Sequence, residues 1–327
     1  MNIFDADLHW IEMEHDLIKK AGLLRSRVMP RDGWDRTLGG KFPEKAISQK
    51  DLLHFMESNV ISKAAIHPTR CLSLGMIQER AIAAQIAESF HQYVLEQMVQ
   101  LPKDKIFPMA LAVPQDIDYT IRKLPQYKEM GFHGILLLPH GHNKVLGDEE
   151  FMEFYATCED LGMTVTIHAN SFGAIGTAGY SRFAEVHCLS FPVELIRQFI
   201  SMTLSGVFEI YPKLHVAFLE AGVGWMPYWI NRLDDEFDKR HEELPIESRP
   251  SEILKKSKVY VSCSGYEKEI AEVDGLLGGG VLWQSDYPHW DHTNHVSVEV
   301  IKNRISEDLF RKVMWDNPLE CYLKYTE

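Results

Sequence analysis

The chain has 327 residues, an ordinary apolar content of 45% and a formal charge of −13. That charge argues against a nucleic-acid surface, which needs clustered Lys and Arg, but leaves open a small anionic substrate that responds to local charge. No apolar run approaches the roughly 18 residues of a membrane span, and no basic stretch followed by an apolar one marks a secretory signal at the N-terminus.

The first expected strand contains Ile3-Phe4-Asp5-Ala6-Asp7-Leu8-His9-Trp10. Strand alternation would place Asp5, Asp7 and His9 on one face with Ile3. Asp7 and His9 then offer an oxygen and an imidazole nitrogen to one cation. Residues 11 to 50, about forty in all, read as a long irregular segment with a possible helix over Glu12 to Gly22. A loop of that length is usually a lid or a binding loop. A helix over Asp51 to Asn59 precedes a buried strand over Val60 to Ile66, which closes on His67-Pro68-Thr69-Arg70.

Ile77 to Leu101 reads as an amphipathic helix, with Ile82, Ile86, Phe90, Val94 and Met98 at four-residue steps. Strands follow at Ile106 to Val113 and Gly134 to Leu138, separated by a helix over Asp116 to Met130. A helix from Asp148 to Leu161 is expected to cap at Gly162. The strand Met163 to Ile167 then meets His168. A loop over 171 to 182, a helix over Pro192 to Ser205 and a strand over Leu214 to Leu219 come next, closing on Glu220-Ala-Gly222. The helix from Trp225 to Leu244 is densely charged after Asn231, as suits a solvated face. The last strands are Val259 to Cys263 and Val281 to Gln284, before a helical stretch that includes Glu307 to Met314.

Eight apolar strands alternating with helices fit a single-domain (β/α)8 TIM barrel over residues 1–327, with 11–50 as a lid-like insertion after strand one. A doubly wound sheet is the alternative, but Asp7-Leu8-His9-Trp10 is no Gly-rich phosphate turn. In such barrels the active site lies at the C-terminal strand ends. Those ends carry Asp7 and His9, His168, Glu220 and Asp286. Two imidazoles and several carboxylates suit Zn²⁺, Mn²⁺ or Fe²⁺.

At these residues the sequence resembles the amidohydrolase superfamily, in the amidohydrolase-related branch that includes aminocarboxymuconate-semialdehyde decarboxylase and γ-resorcylate decarboxylase. The resemblance rests on Asp7-x-His9 continuing to Trp-Ile-Glu12, on Thr-Ile-His168-Ala-Asn, and on Phe-Leu-Glu220-Ala-Gly-Val-Gly-Trp-Met-Pro227. Ser285-Asp286-Tyr-Pro-His289-Trp and Asn317-Pro318 complete it. It implies that Asp7, His9, His168 and Asp286 bind one divalent metal ion, Zn²⁺ first. The decarboxylases of this branch carry a His after strand six, where this chain has Glu220 in a Glu-x-Gly-x-x-Trp pattern.

A carboxylate beside a cation tends to stay ionised, so Glu220 is expected to accept a proton from water. This makes hydrolysis of a small amide, ester or lactone the leading expectation and non-oxidative decarboxylation of a phenolic or enolic acid the alternative. Asp286, Glu220 and His187 are the catalytic candidates. Arg70 is a candidate clamp for a substrate carboxylate, Trp10 (with Trp34) a cover for the mouth, and His289 a support for Asp286 or the pocket wall. A non-catalytic protein with a structural metal is a third reading, disfavoured because structural zinc sites are closed and Cys-rich. The five cysteines form no CxxC pair and suit a cytosolic chain. Trp225, Tyr228 and Trp229 suggest a homodimer or larger assembly.

Overall fold

The computed structural model describes residues 2–12, 14–22, 47–140, 144–168 and 179–323. Its eight strands are β1 (Ile3–His9), β2 (Ile61–His67), β3 (Ile106–Leu111), β4 (Gly134–Leu137), β5 (Thr164–His168), β6 (His215–Leu219), β7 (Lys258–Cys263) and β8 (Val281–Trp283). They follow one another in sequence order, and each pairs with the next in parallel. The seam is closed by the chain that leaves β8. Asp286 N donates to Asp7 O at 3.0 Å and His9 N to Tyr287 O at 2.8 Å. Ser285 N adds a bond to Asp5 Oδ1 at 2.9 Å. This is the expected (β/α)8 barrel, and its closure carries Asp286 to Asp7.

Helices cover the strands, as an all-parallel sheet requires. They include α1 (Glu14–Lys20), α2 (Gln49–Ser58), α3 (Arg80–Met98), α4 (Ile117–Glu129), α5 (Met152–Leu161), α6 (Phe183–Leu204) and α7 (Met226–Arg240). α5 ends at Gly162, whose φ of 59° is the left-handed cap that glycine adopts without a Cβ clash. The solvated end of α7 carries Arg232 and Lys239, both paired with Asp235.

The core has two parts. Phe4, Ala6, Phe107, Met109 and Tyr260 form a cluster with Cys321 and Tyr322 of the C-terminal helix. That helix is tied to the barrel by Tyr322 Oη, which donates to Ala6 O at 2.8 Å. The larger cluster joins strands to helices and contains Ile3 and Leu8. Each fully buried aliphatic or aromatic side chain contributes about 1.5–3 kcal/mol by leaving water.

Several sequence expectations change. The register of β1 against β2 shifts between Ile3 and Phe4, and again between Asp5 and Leu8. A bulge breaks strict alternation, so Ile3 packs with the helix-side cluster and does not share the face of the polar residues. α6 begins at Phe183, not Pro192, and Pro192 lies inside it. The proline lacks the N–H that would reach the carbonyl of Cys188, an exposed residue of the same helix. A 3-10 turn, Arg70–Met76, precedes α3. The expected lid falls largely on residues 23–46, Trp34 among them, which lie outside the described residues.

Candidate active site

β1, β2, β5 and β6 deliver His9, His67, His168 and Glu220 to one end of the barrel, and the turn after β8 adds Asp286 and His289. His9 Nε2 lies 3.3 Å from both Asp7 Oδ1 and Asp286 Oδ1. His168 Nε2 is 3.4 Å from Asp7 Oδ2 and 2.8 Å from Glu220 Oε2. His67 Nδ1 approaches Asp7 Oδ1 to 2.9 Å. The four expected metal residues, Asp7, His9, His168 and Asp286, are thus brought together. The structure adds Glu220 to the same cluster, where the sequence reading held it apart as an acid/base.

Two overlapping sets of ligand atoms each lie within 4.8 Å of one another: Asp7, His9, His168 and Glu220, and His9, Glu220, Asp286 and His289. The donors fit a divalent ion. Among the described residues, both oxygens of Asp7, Nε2 of His9 and Oε2 of Glu220 are buried without a hydrogen bond of acceptable geometry. Buried polar atoms left so are costly, and convergent ones are what an ion satisfies. His9 Nδ1 donates to Pro68 O at 2.8 Å. That bond leaves the Nε2 lone pair facing the cluster, the tautomer a metal ligand needs.

The backbone is strained at this site. Glu220 has φ 59° and Asp286 φ 61°, in the left-handed region that non-glycine residues rarely occupy. Each such residue costs on the order of 1–3 kcal/mol and persists when its surroundings over-determine it. Glu220 N donates to Ser262 Oγ at 2.9 Å and to Gln284 Oε1 at 3.1 Å. Asp286 N is held by Asp7 O across the seam.

Electrostatics divide the carboxyls. Burial pushes Asp7 up, but His9, His168 and His67 outweigh it and hold the carboxyl well below its ordinary range. Burial and the charge of Asp286 raise Glu220 to about 8. Burial, with Asp291 and Asp7, also raises Asp286 well above the usual range. Burial and the His289 ring lower His9 to about 4. Burial would lower His168 too, yet Asp7 and Glu220 raise it well above the ordinary imidazole value. Asp5, which accepts from Ser285 and Asp7 backbone N–H groups, is pushed up to about 7 by burial.

A cavity of ≈ 380 Å³ opens beside Glu220 and Asp286, walled by His187, Phe191, Tyr266 and Gln284 among others. His187 was expected in a loop; it stands on α6, with Nε2 3.5 Å from Asp291 Oδ2 and its ring 5.7 Å from that of Trp290. His289 Nδ1 is 2.5 Å from Asp286 Oδ1. Arg70 is half-buried at the start of the 3-10 turn and does not line this cavity.

Trp10 does not cover the mouth. It is 1% exposed and packs edge-on against Tyr93 of α3. Its backbone N–H bonds to His67 O at 2.8 Å, and its ring joins the helix-side core. Trp225 likewise packs on Phe199 and Phe218, its Nε1 donating to Gly222 O. Sequence reading missed His67, although it ends β2 just as His9 ends β1 and His168 ends β5. That shared placement was the available signal. Thr69, 3.0 Å from His289 Nε2, carried none.

Residues 4–323 match the amidohydrolase family. A 2-amino-3-carboxymuconate-6-semialdehyde decarboxylase of Dictyostelium discoideum is 26% identical over 159 residues, covering 48% of this chain and 43% of that protein. The matched part therefore spans less than half the length of that relative. An amidohydrolase of Mycobacterium avium subsp. paratuberculosis is 19% identical, with 98% of each chain covered and a TM-score of 0.79. A dihydroxybenzoic acid decarboxylase of Polaromonas sp. JS666 was solved with manganese and the inhibitor 2-nitroresorcinol. It is 18% identical over 100% of this chain and 98% of its own, with a TM-score of 0.76. Likeness to solved structures at this level of identity shows the fold.

The expected hydrolysis of an amide, ester or lactone is overturned here. The relatives with a named reaction are decarboxylases. Among the described residues no helix is long and apolar enough to cross a membrane. The strand-end cluster, the parallel barrel that assembles it and the match over nearly the whole length agree: the chain belongs to the amidohydrolase family.

Proposed function

We propose that the chain is a metal-dependent carboxy-lyase that removes CO₂ from a small phenolic or enolic carboxylic acid without a redox step. The observation that carries this reading is the enclosure of Glu220 and Asp286 in one cluster with His9 and His289. Two buried carboxyls so close do not both ionise cheaply. The pair therefore holds a proton, and decarboxylation consumes one at carbon. In the same cluster a divalent ion would favour the ionised form of Glu220, against the burial and the Asp286 charge that favour its protonated form.

Asp7, His9, His168 and Asp286 would hold one divalent ion, with Glu220 in reach of the same position. Zn²⁺ and Mn²⁺ both suit this mixture of imidazole and carboxylate. When bound, the ion supplies positive charge beside the substrate's carboxylate and its phenolic or enolic oxygen. The rest falls to the chain. Asp286, backed by His289, delivers a proton to the carbon that bears the carboxylate. The bond from that carbon to the carboxylate then breaks, its electron pair stays with the substrate, and CO₂ leaves. Glu220 is the second carboxyl able to hold or return the proton. His187 and Phe191 flank the substrate from α6, at the wall of the cavity beside Glu220 and Asp286.

The test is a panel of hydroxybenzoates and enolic acids, beside amides and lactones, with CO₂ release and ring-proton exchange as readouts. Glu220→Gln should lose about 10²-fold or more in CO₂ release, the scale of a general acid/base. Hydrolytic products with no CO₂ from any acid would refute the proposal.

A further inference from the structure

Two buried polar residues beside the cluster have no part in the chemistry above. Glu12 continues the Asp7-x-His9 segment and is fully buried. Its Oε1 accepts the N–H of Cys71 at 2.7 Å and its Oε2 that of Thr69 at 3.1 Å. A carboxylate that follows β1 thus fixes the backbone turn that follows β2. Thr69, itself buried, places Oγ1 3.0 Å from His289 Nε2. The other ring nitrogen, Nδ1, is 2.5 Å from Asp286 Oδ1. The ring of His289 also lies against that of His9, with centroids 4.3 Å apart. Glu12, Thr69, His289 and Asp286 therefore form one connected path across the barrel seam.

A neutral imidazole has one donor nitrogen and one acceptor nitrogen. If Nδ1–H donates to Asp286, Nε2 is left with a lone pair that must find a donor in a buried site. Among the described residues, Thr69 Oγ1 stands at hydrogen-bond distance from it, 3.0 Å. A hydroxyl suits the place because its hydrogen rotates onto the lone pair without bringing charge. We infer that Thr69 is a positioning residue whose hydroxyl donates to His289 Nε2, holding the ring in the plane and tautomer that present Nδ1–H to Asp286. Glu12 sets the backbone height from which Thr69 reaches. This rests on Asp286 and His289 being the pair that handles the proton.

The first experiment needs no turnover. In zinc-loaded protein labelled with ¹⁵N-histidine, the ring signals of His289 are assigned by their loss in His289→Gln. Wild type should give the pattern of a protonated Nδ1 and a bare Nε2. Thr69→Val, nearly equal in volume but without the hydroxyl, should shift His289 toward mixed tautomers, and Thr69→Ser should keep the wild-type pattern. A protonated Nε2 in wild type would overturn the inference. If the valine variant does not fold, that wild-type spectrum decides the matter alone.

The second experiment follows CO₂ release from 2,6-dihydroxybenzoate. Thr69→Val should lower kcat about tenfold, the usual scale for a partner that orients a site residue, with KM and zinc content little changed. Thr69→Ser should remain within about threefold of wild type. Equal losses in the two variants would mark Thr69 as a packing residue and overturn the inference. Wild type that releases no CO₂ from any acid of the panel ends the decarboxylase reading, while the tautomer measurement still decides the role of Thr69.

Discussion

Replacing Glu267 by Gln tests whether the strained turn that carries Glu220 is held from the neighbouring loop. Glu267 follows β7 and is 6% exposed. Its Oε1 accepts the N–H of Val223 at 2.5 Å and of Gly224 at 3.0 Å, and its Oε2 that of Ser264 at 2.7 Å. The turn is built around this carboxylate: Gly222 has φ +69°, and a Cβ there would lie 2.5 Å from Glu267 Oε1. Gln keeps the shape but has one oxygen. However the amide is turned, at least one backbone N–H faces an NH₂ group. A buried donor left unsatisfied costs about 1–3 kcal/mol. Part of this is returned, because burial already pushes the Glu267 pKa up and disfavours the charge. The net expectation is a loss of about 1–2 kcal/mol. At about 2–4 °C per kcal/mol for a chain of this size, Tm should fall by roughly 2–8 °C. Thermal unfolding followed by circular dichroism measures this. Turnover should fall with it, since the same turn orients Glu220. A Tm at or above the wild-type value would refute the reasoning.

The remaining predictions concern the ion, acid stability and assembly. Elemental analysis should find about one divalent ion per chain in wild type and little in the His9→Ala, His168→Ala double variant; equal contents would remove the metal site. Glu88 accepts the hydroxyls of Tyr119 and Tyr127 at 2.7 and 2.8 Å. Burial raises its pKa, but His91 and the two hydroxyls bring it down to about 2 from 4.5. A carboxyl lowered in this way stabilises the fold above its unfolded value and loses that contribution as pH falls from 4.5 toward 2. Wild type should therefore lose about 1–3 kcal/mol more than Glu88→Gln across that window, and parallel acid-unfolding curves would contradict this. Tyr228, 64% exposed at the start of α7, is the remaining aromatic support for self-association. We propose a homodimer or larger, and light scattering showing only monomer at micromolar concentration would count against it.

The barrel was legible because its physics is local. A parallel strand covered on both faces reads as a short apolar run, and the runs of β1, β2, β5, β6, β7 and β8 end on or against a polar residue. Asp7, His9, His168, Glu220 and Asp286 were visible on that ground alone. What failed was also local inference stretched too far. Alternation placed Ile3 with the polar face, but the bulge in β1 breaks the period. Pro192 looked like a helix start, yet α6 has already run through His187 and Phe191, which face the cavity. Trp10 looked like a cover for the mouth because aromatic residues near a site often are, and nothing in its neighbours revealed that its ring packs on Tyr93.

The sequence by itself determined the strand order, the strand ends, the ligand types offered there and the family. These follow from periodicity and short motifs, which need only neighbouring residues. Tertiary structure alone decided that Glu220 lies 2.8 Å from His168, that His67 joins Asp7, and that Thr69 reaches His289 across 220 positions of chain. It also decided the charge of the site. The pKa of Glu220 depends on burial and on Asp286, and both exist only once the seam between β1 and β8 has closed.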